Sequence, residues 1–236
     1  MKKFLIRIGL PRIKMLNKVL FVVGLSILAT ACVSPILLYE QLPLAEYTSG
    51  EMVLISVVDQ RARVEAEGKP KDFVGVAHGS FGIPTDWHVR QVLATAEGDN
   101  ERDLASFLQH RIFNGLQESG WNVRSVNVND LPTDEEARTI LDEYEAKKII
   151  TLMINEWYFS INLNFVSAFN FDTDTEIVVQ DLADGVILTK NFKERDVIDE
   201  RASESAQNNV LRAYKAQLTQ ILNDPEVCAS LGGLDC

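Results

Sequence analysis

The sequence predicts an α+β domain: a mixed, largely antiparallel sheet of about five strands with about three helices packed on one face. Three observations carry this expectation. Residues 52–59 (MVLISVVD) form a β-branched run of the kind found in central strands covered on both sides. Three later segments place apolar residues at helical spacing between capping signals. From Lys148 onward the apolar period changes to two.

The elements follow in chain order. Arg61–Lys71 is charged and holds Gly68 and Pro70, which predicts an exposed loop. Phe73–Val76 and Trp87–Ala94 read as extended arms of a hairpin around Gly79, Gly82 and Pro84. Asp99 or Asn100 then caps the strongest helix, with Leu104, Phe107, Leu108, Ile112 and Leu116 on one stripe interrupted only by Arg111. Gly120 stands where a left-handed residue ends a helix, and Trp121–Val128 reads as a strand. Pro132 and Thr133 open a second helix through Tyr144, with Ala137, Ile140 and Leu141 inward.

Beyond it, Trp157, Phe159, Ile161, Leu163, Phe165, Phe169 and Phe171 fall on odd positions. Ser160, Asn162, Asn164, Asn170, Asp172 and Asp174 fall on even ones, giving one dry and one wet face. Residues 148–182 exceed one ordinary strand, so the chain folds back near Ser160–Asn164. Asp184-Gly185 supplies the next hairpin turn, and Ser203–Asn223 closes the domain as a third helix stopped by Pro225.

The N-terminus carries an address. Residues 19–31 (VLFVVGLSILATA) are uncharged, follow lysines and end in small residues. As a helix they span about 20 Å, short of the roughly 30 Å hydrocarbon core, which makes a secretory signal rather than a membrane span. Leu28-Ala29-Thr30-Ala31-Cys32 resembles the lipobox of bacterial lipoproteins. That resemblance implies cleavage between Ala31 and Cys32 and acylation of Cys32 with chains such as palmitate. Each buried methylene contributes about 0.8 kcal/mol, so three chains hold a protein where one would not. Met15 to Ala31 is itself a complete signal of this type, so translation starts at either Met1 or Met15. In lipoproteins an Asp after the cysteine commonly retains the protein at the inner membrane. Val33 stands there in this chain, which favours the outer membrane, on its periplasmic face.

The domain organisation read from the chain is a signal peptide over 1–31, a lipidated tether over 32–50, a single domain over 51–224 and a C-terminal tail over 225–236. The tether holds two prolines and little periodicity. The tail holds Cys228 and Cys236, and an oxidising compartment makes a disulfide between them the expectation.

Charge narrows the partners. Of 23 basic residues six precede Cys32 in an acid-free stretch, leaving 17 against 34 acidic ones in the remainder. Such a surface repels phosphate backbones, which argues against nucleic acid.

Several phrases resemble the YajG-like family of bacterial lipoproteins: VLISVVDQR at 53–61, LASFLQHRIFNGLQESGW at 104–121, INEWYFSINLNF at 154–165, IVVQDLADGVILTKN at 177–191 and LTQILNDPEV at 218–227. The pattern is more distantly similar to the small α/β domains of periplasmic assembly lipoproteins such as CsgG and LpoB. The resemblance implies a fold and a location, and brings no catalytic residues with it.

His78-Gly-Ser-Phe-Gly82 approaches a nucleophile elbow, but His78 replaces the first glycine and Ile83-Pro84-Thr85 forbids the helix that must follow. His78, His88 and His110 lack metal-ligand spacing. Asp172, Asp174 and Glu176 alternate along one strand face, nearly 7 Å apart, so they diverge rather than converge on an ion. No metal, no catalytic residue and no cofactor beyond the lipid on Cys32 is expected. The sequence therefore predicts a non-enzymatic, membrane-anchored accessory that binds other envelope proteins. The alternatives are a carrier or transport auxiliary holding an apolar ligand, and, behind it, a cell-wall hydrolase.

Overall fold

The computed structural model describes residues 34–164 and 168–232. Its elements are α1 (Leu38–Gln41), β1 (Val53–Asp59), α2 (Ala62–Ala66), β2 (Phe73–His78), β3 (Pro84–His88), α3 (Leu104–Glu118), β4 (Val123–Ser125), α4 (Asp134–Tyr144), β5 (Lys148–Asn162), β6 (Ala168–Asp181), β7 (Gly185–Asp199), α5 (Ala206–Leu222) and α6 (Pro225–Ser230). The fold is α+β with a mixed sheet, as expected, but the sheet has seven strands rather than about five.

β5 is its spine. One edge of β5 pairs antiparallel with β6, from Lys148↔Asp181 to Ser160↔Asn170, and β6 pairs in turn with β7. The other edge is shared. β1 runs parallel to its first half (Val53↔Lys148 to Asp59↔Ile154), and β2 runs parallel to its end (Gly75↔Phe159 to His78↔Asn162). β4 extends the sheet beyond β1, and β3 beyond β2. The sheet therefore forks where β1 leaves β5 and β2 joins it.

Arg61 fills the fork. Its buried guanidinium donates to the carbonyls of Phe73 (2.7 Å), Lys71 (3.0 Å) and Trp157 (3.4 Å), and binds both carboxylate oxygens of Asp59 at 2.8 Å. Interrupted pairing leaves backbone carbonyls without partners, and a planar five-donor group on a long stem satisfies several at once. The exposed loop expected over 61–71 is thus corrected. Arg61 is interior, α2 follows it, and Val64 is buried. Charge density suggested solvent, whereas this charge is consumed by the backbone.

A register shift between Ile154 and Glu156 changes which residues face inward. Before it Ile150, Leu152 and Ile154 enter the main core; after it Trp157, Phe159 and Ile161 do. This explains why the odd-numbered alternation begins only at Trp157. Leu163, expected inward, is half exposed, and Phe165 lies outside the described residues. Of the segment 87–94 only Trp87 and His88 are strand; Val89–Leu93 coil into a single π turn.

The helices divide between two faces, which corrects the one-face expectation. α3 packs against β1, with Phe107 and Leu108 in one core cluster with Val53, Ile55 and Val57. α5 adds Val210 and Leu218 to that cluster and sets Tyr214 against Trp157 and Phe171 of β5 and β6. α4 covers the reverse face through Ala137 and Leu141, against Leu54, Ala146 and Ile149. An amphipathic stripe shows that a helix packs, without showing on which side of a sheet it does so. The caps differ in one place. Asp103, not Asp99 or Asn100, accepts from Ser106 N–H at the start of α3, while Thr133 forms a reciprocal capping box with Glu136.

Both ends of the domain extend further than expected. Residues 35–50, read as tether, lie along the domain. Ile36, Gln41 and Leu42 are buried, Tyr47 meets Trp121 edge-on, and a Cβ at Gly115 of α3 would lie 2.0 Å from the Pro43 carbonyl oxygen. Little periodicity was visible because the segment docks residue by residue rather than along a helical or strand face. Pro225 likewise starts α6 instead of ending structure, with Val227 and Leu231 buried and Lys148 Nζ bonded to the Ser230 carbonyl at 2.7 Å.

Arg61→Ala should lower unfolding free energy by about 3–5 kcal/mol, because it leaves Asp59 as an uncompensated buried charge and strips several carbonyls of donors. Arg61→Lys should recover only part, since one ammonium cannot reach both arms of the fork. Urea denaturation of the three proteins measures both effects.

Candidate functional site

The residues singled out from sequence do not converge. Ala31, Cys32 and Cys236 lie outside the described residues, so the anchor and the expected Cys228–Cys236 pairing are not on view. Cys228 is buried within α6. The glycine-rich segment Gly79–Ile83 is the turn of the β2–β3 hairpin, with Gly79 N–H bonded to the Ile83 carbonyl, and no helix follows Ser80 in the way an elbow requires. His78 faces Ser160 (Nε2 to Oγ 3.2 Å), His88 pairs with Asp72 at 3.1 Å, and His110 lies against Arg111. Among the described residues no group of three or more His, Cys, Asp or Glu is placed to hold a metal ion.

Arg111, the interruption in the α3 stripe, organises a second buried network that sequence reading left unpartnered. Its Nη1 and Nη2 bind the two oxygens of fully buried Asp99 at 3.1 and 2.6 Å, and its Nε donates to Gln41 Oε1 at 3.0 Å. Gln41 in turn donates to the Ile36 carbonyl at 2.9 Å. Asp99 also accepts from the N–H groups of Thr95 and Ala96. Burial works against its ionised form, but the Arg111 bonds and these amides outweigh that, and its carboxyl is held below the ordinary range. His110 is shifted down by burial and by Arg102 and Arg111 nearby. The signal was present in the sequence as an arginine on an apolar stripe; its partners lie 12 and 70 positions away. This network holds the N-terminal segment to α3.

Three hollows on the surface differ in lining and size. A crevice of about 300 Å³ opens at the carboxyl ends of β1 and β4, where ligands of α/β sheets commonly sit, lined by Asp59, Lys71, Asp103, Ser106, Gln109 and Asn127. Its polar groups are largely engaged with one another: Gln109 accepts from Val57 N–H and donates to Asn127, and Asp103 caps α3. A hollow of about 420 Å³ between Val128–Pro132 and α4 has an apolar floor, but Asn129, Asp130 and Glu136 on its rim are exposed.

The third is the widest, about 600 Å³, on the wet face of β5–β6–β7. Here Asp172 stands opposite Arg195, and Asp174 opposite Lys193, each as an ion pair, while Arg63 binds Glu156 at 3.0 Å and stacks over Tyr158 at 4.1 Å. Two of the three acids read from β6 are therefore matched by cations from β7, while Glu176 stands opposite Asn191. β7 is fifteen residues long and, among the described residues, pairs with no strand but β6; Asp134 of α4 takes the Val186 N–H at its start, and the rest of its second edge carries no strand. Lys193, Arg195 and Val197 stand exposed along it. Such an edge offers unpaired backbone donors and acceptors to an added strand, with charged side chains setting which strand is accepted.

No family model matches the chain and no curated protein matches it, so membership of the YajG-like family is not shown. Among solved structures, the protein XCC0632 from Xanthomonas campestris, described as family DUF330, is 12% identical, with 86% of this chain and 92% of that one covered and a TM-score of 0.41. The LpoB C-terminal domain from Escherichia coli is 11% identical, covering 67% and 93%, with a TM-score of 0.33. Lipoprotein GNA1162 from Neisseria meningitidis is 9% identical, covering 74% and 99%, with a TM-score of 0.32. Among the described residues of the present chain, no helix is long and apolar enough to cross a membrane.

The Asp99–Arg111 pair makes stability depend on acid. A carboxyl depressed in the folded state contributes stability above its unfolded pKa and loses it as pH falls through the folded value. Asp99→Asn should be less stable at pH 7 by about 1.5–3 kcal/mol, the range for hydrogen bonds to a charged group. Its stability should also fall less steeply than wild type below the carboxylate range. Urea midpoints between pH 3 and 7 measure both.

Proposed function

We propose that this chain is a periplasmic lipoprotein of the YajG-like family, anchored in the outer membrane through acyl chains on Cys32, that serves other envelope proteins as a non-enzymatic binding or assembly accessory. The observation that carries the reading is the open edge of β7 beside the charged basin of β5–β6–β7. Edge and basin together present backbone hydrogen-bonding groups and a defined charge pattern, which suits an extended segment of a partner protein. The core beneath is filled by Trp157, Phe159, Phe171 and Tyr214, packed ring against ring. A carrier would need an enclosed apolar cavity, and the apolar-floored hollow beside α4 is open at its rim. A cell-wall hydrolase would need two carboxylates facing each other across a cleft, whereas Asp172 and Asp174 are each bound to a cation. A disulfide between Cys228 and Cys236 belongs to the same reading, since the compartment is oxidising.

Two measurements test the two halves of the proposal. Cys32→Ser should accumulate as an unlipidated, uncleaved precursor; its normal fractionation with outer membrane would contradict the anchor. A photo-crosslinking residue in place of Arg195 should yield adducts with envelope proteins in intact cells. The same residue in place of exposed Glu135 on α4 should not. Identical adducts from both positions, or none from position 195, would contradict the assigned face.

A further inference from the structure

One end of the domain is unlike the rest of this acidic chain. The β2–β3 turn and the end of β5 lie side by side: Leu163 N–H bonds to the His78 carbonyl at 3.0 Å, and Asn164 Nδ2 bonds to the Gly79 carbonyl at 2.6 Å. From this shared tip three large apolar side chains project into solvent, Phe81 at 98% exposure, Ile83 at 62% and Leu163 at 46%. The described stretches that build it, 73–85, 157–164 and 168–171, contain no Asp, Glu, Lys or Arg, in a sequence with 34 acidic residues. Phe81 also adopts a left-handed backbone (φ 64°) flanked by Gly79 and Gly82. A fully exposed Phe in that conformation does nothing for the fold: it buries no surface and holds a backbone that glycine adopts at lower cost.

The N-terminal segment emerges at the same end. Ile36 N–H bonds to Asn208 Oδ1 in the first turn of α5. The adjacent Asn209 receives Arg201 N–H, just past the end of β7. The end of β7 pairs with the start of β6 (Asp199↔Ala168), and the start of β6 pairs with the end of β5 (Asn170↔Ser160). Cys32 precedes Ile36 by four residues, which span at most about 14 Å when fully extended. Leu37 and Tyr39, immediately after Ile36, are also exposed apolar residues, as is Val197 near the end of β7.

We infer that this end is a membrane-seating surface: Phe81, Ile83 and Leu163 enter the interfacial layer of a lipid bilayer. They thereby fix how the domain stands on it. The inference rests on the lipid-anchor reading for the bilayer's presence within reach, and on the uncharged tip for its own chemistry. The occupant is the neutral interface rather than anionic headgroups, because no cation stands in the tip, and at the neighbouring end of β7 Arg195 and Arg201 are outnumbered by Asp196, Asp199 and Glu200. Seated in this way, the domain keeps the opposite end of β7, near Gly185, directed away from the bilayer.

The test uses the full chain purified from membranes and reconstituted in zwitterionic phosphatidylcholine vesicles, with and without lipids brominated near the glycerol end of their chains. In Phe81→Trp the added tryptophan should shift to shorter wavelength and be quenched by brominated lipid beyond the wild-type response. Ile83→Trp, on ordinary extended backbone (φ −67°), gives the same reading if position 81 resists substitution. Adding phosphatidylglycerol should not increase the quenching. Flotation of the wild-type chain reports the anchor separately. If both tryptophans remain unquenched, whether or not the chain floats, the seating surface is refuted and the tip is assigned to a protein partner instead.

Discussion

The sheet depends on one edge of β5 serving two different strands, and that arrangement depends on Arg61. Where β1 ends at Asp59 and β2 has not yet begun to pair, the β-ladder is broken inside the protein. An apolar side chain at that point would leave several carbonyls buried without donors. The guanidinium closes the gap, and Asp59, two residues earlier, balances its charge. The fork then sends the β2–β3 hairpin out along the far half of β5, so the hairpin turn and the end of β5 come to share one tip. A buried ion pair contributes little net stability compared with a well-packed apolar replacement, but removing one partner leaves the other buried and uncompensated.

A second buried arginine does comparable work at the other layer. Arg111 joins α3 to the Asp99 loop and to Gln41, and through Gln41 to the Ile36 carbonyl. Gly115 allows the Pro43 backbone to approach where any side chain would collide. The N-terminal segment is consequently packed on the domain from Ile36 through Tyr47 rather than hanging free of it.

Elements with strong local signals were legible in the sequence. The buried run of β1, the stripes of α3 and α5, the helix start at Thr133, the Gly120 stop and the turn at Gly185 all express short-range rules, and the structure places each accordingly. What the sequence hid is long-range. The face that α4 covers depends on Leu54 and Ile149, far along the chain. The parity of β5 turns on a bulge that no periodicity announces. Arg61 and Arg111 look like solvent-facing charges until their partners are brought to them by the fold. The candidate binding face was half legible: the acidic row of β6 was visible, while the cations opposite it on β7 follow from register. The apolar tip was not legible, because Phe81, Ile83 and Leu163 read as core residues or loop residues until their exposure is known.

The proposed location, binding face and seating end all refer to a domain on which the stretch around Ile36 is docked. Amide hydrogen exchange of that residue measures this relation directly, since its N–H is held by Asn208 only if the segment is docked. If the N-terminal stretch is part of the fold, the Ile36 amide exchanges as slowly as neighbouring amides of α5. Exchange at the rate of an unstructured peptide would mean that the stretch is a free tether and that the anchor imposes no orientation on the domain.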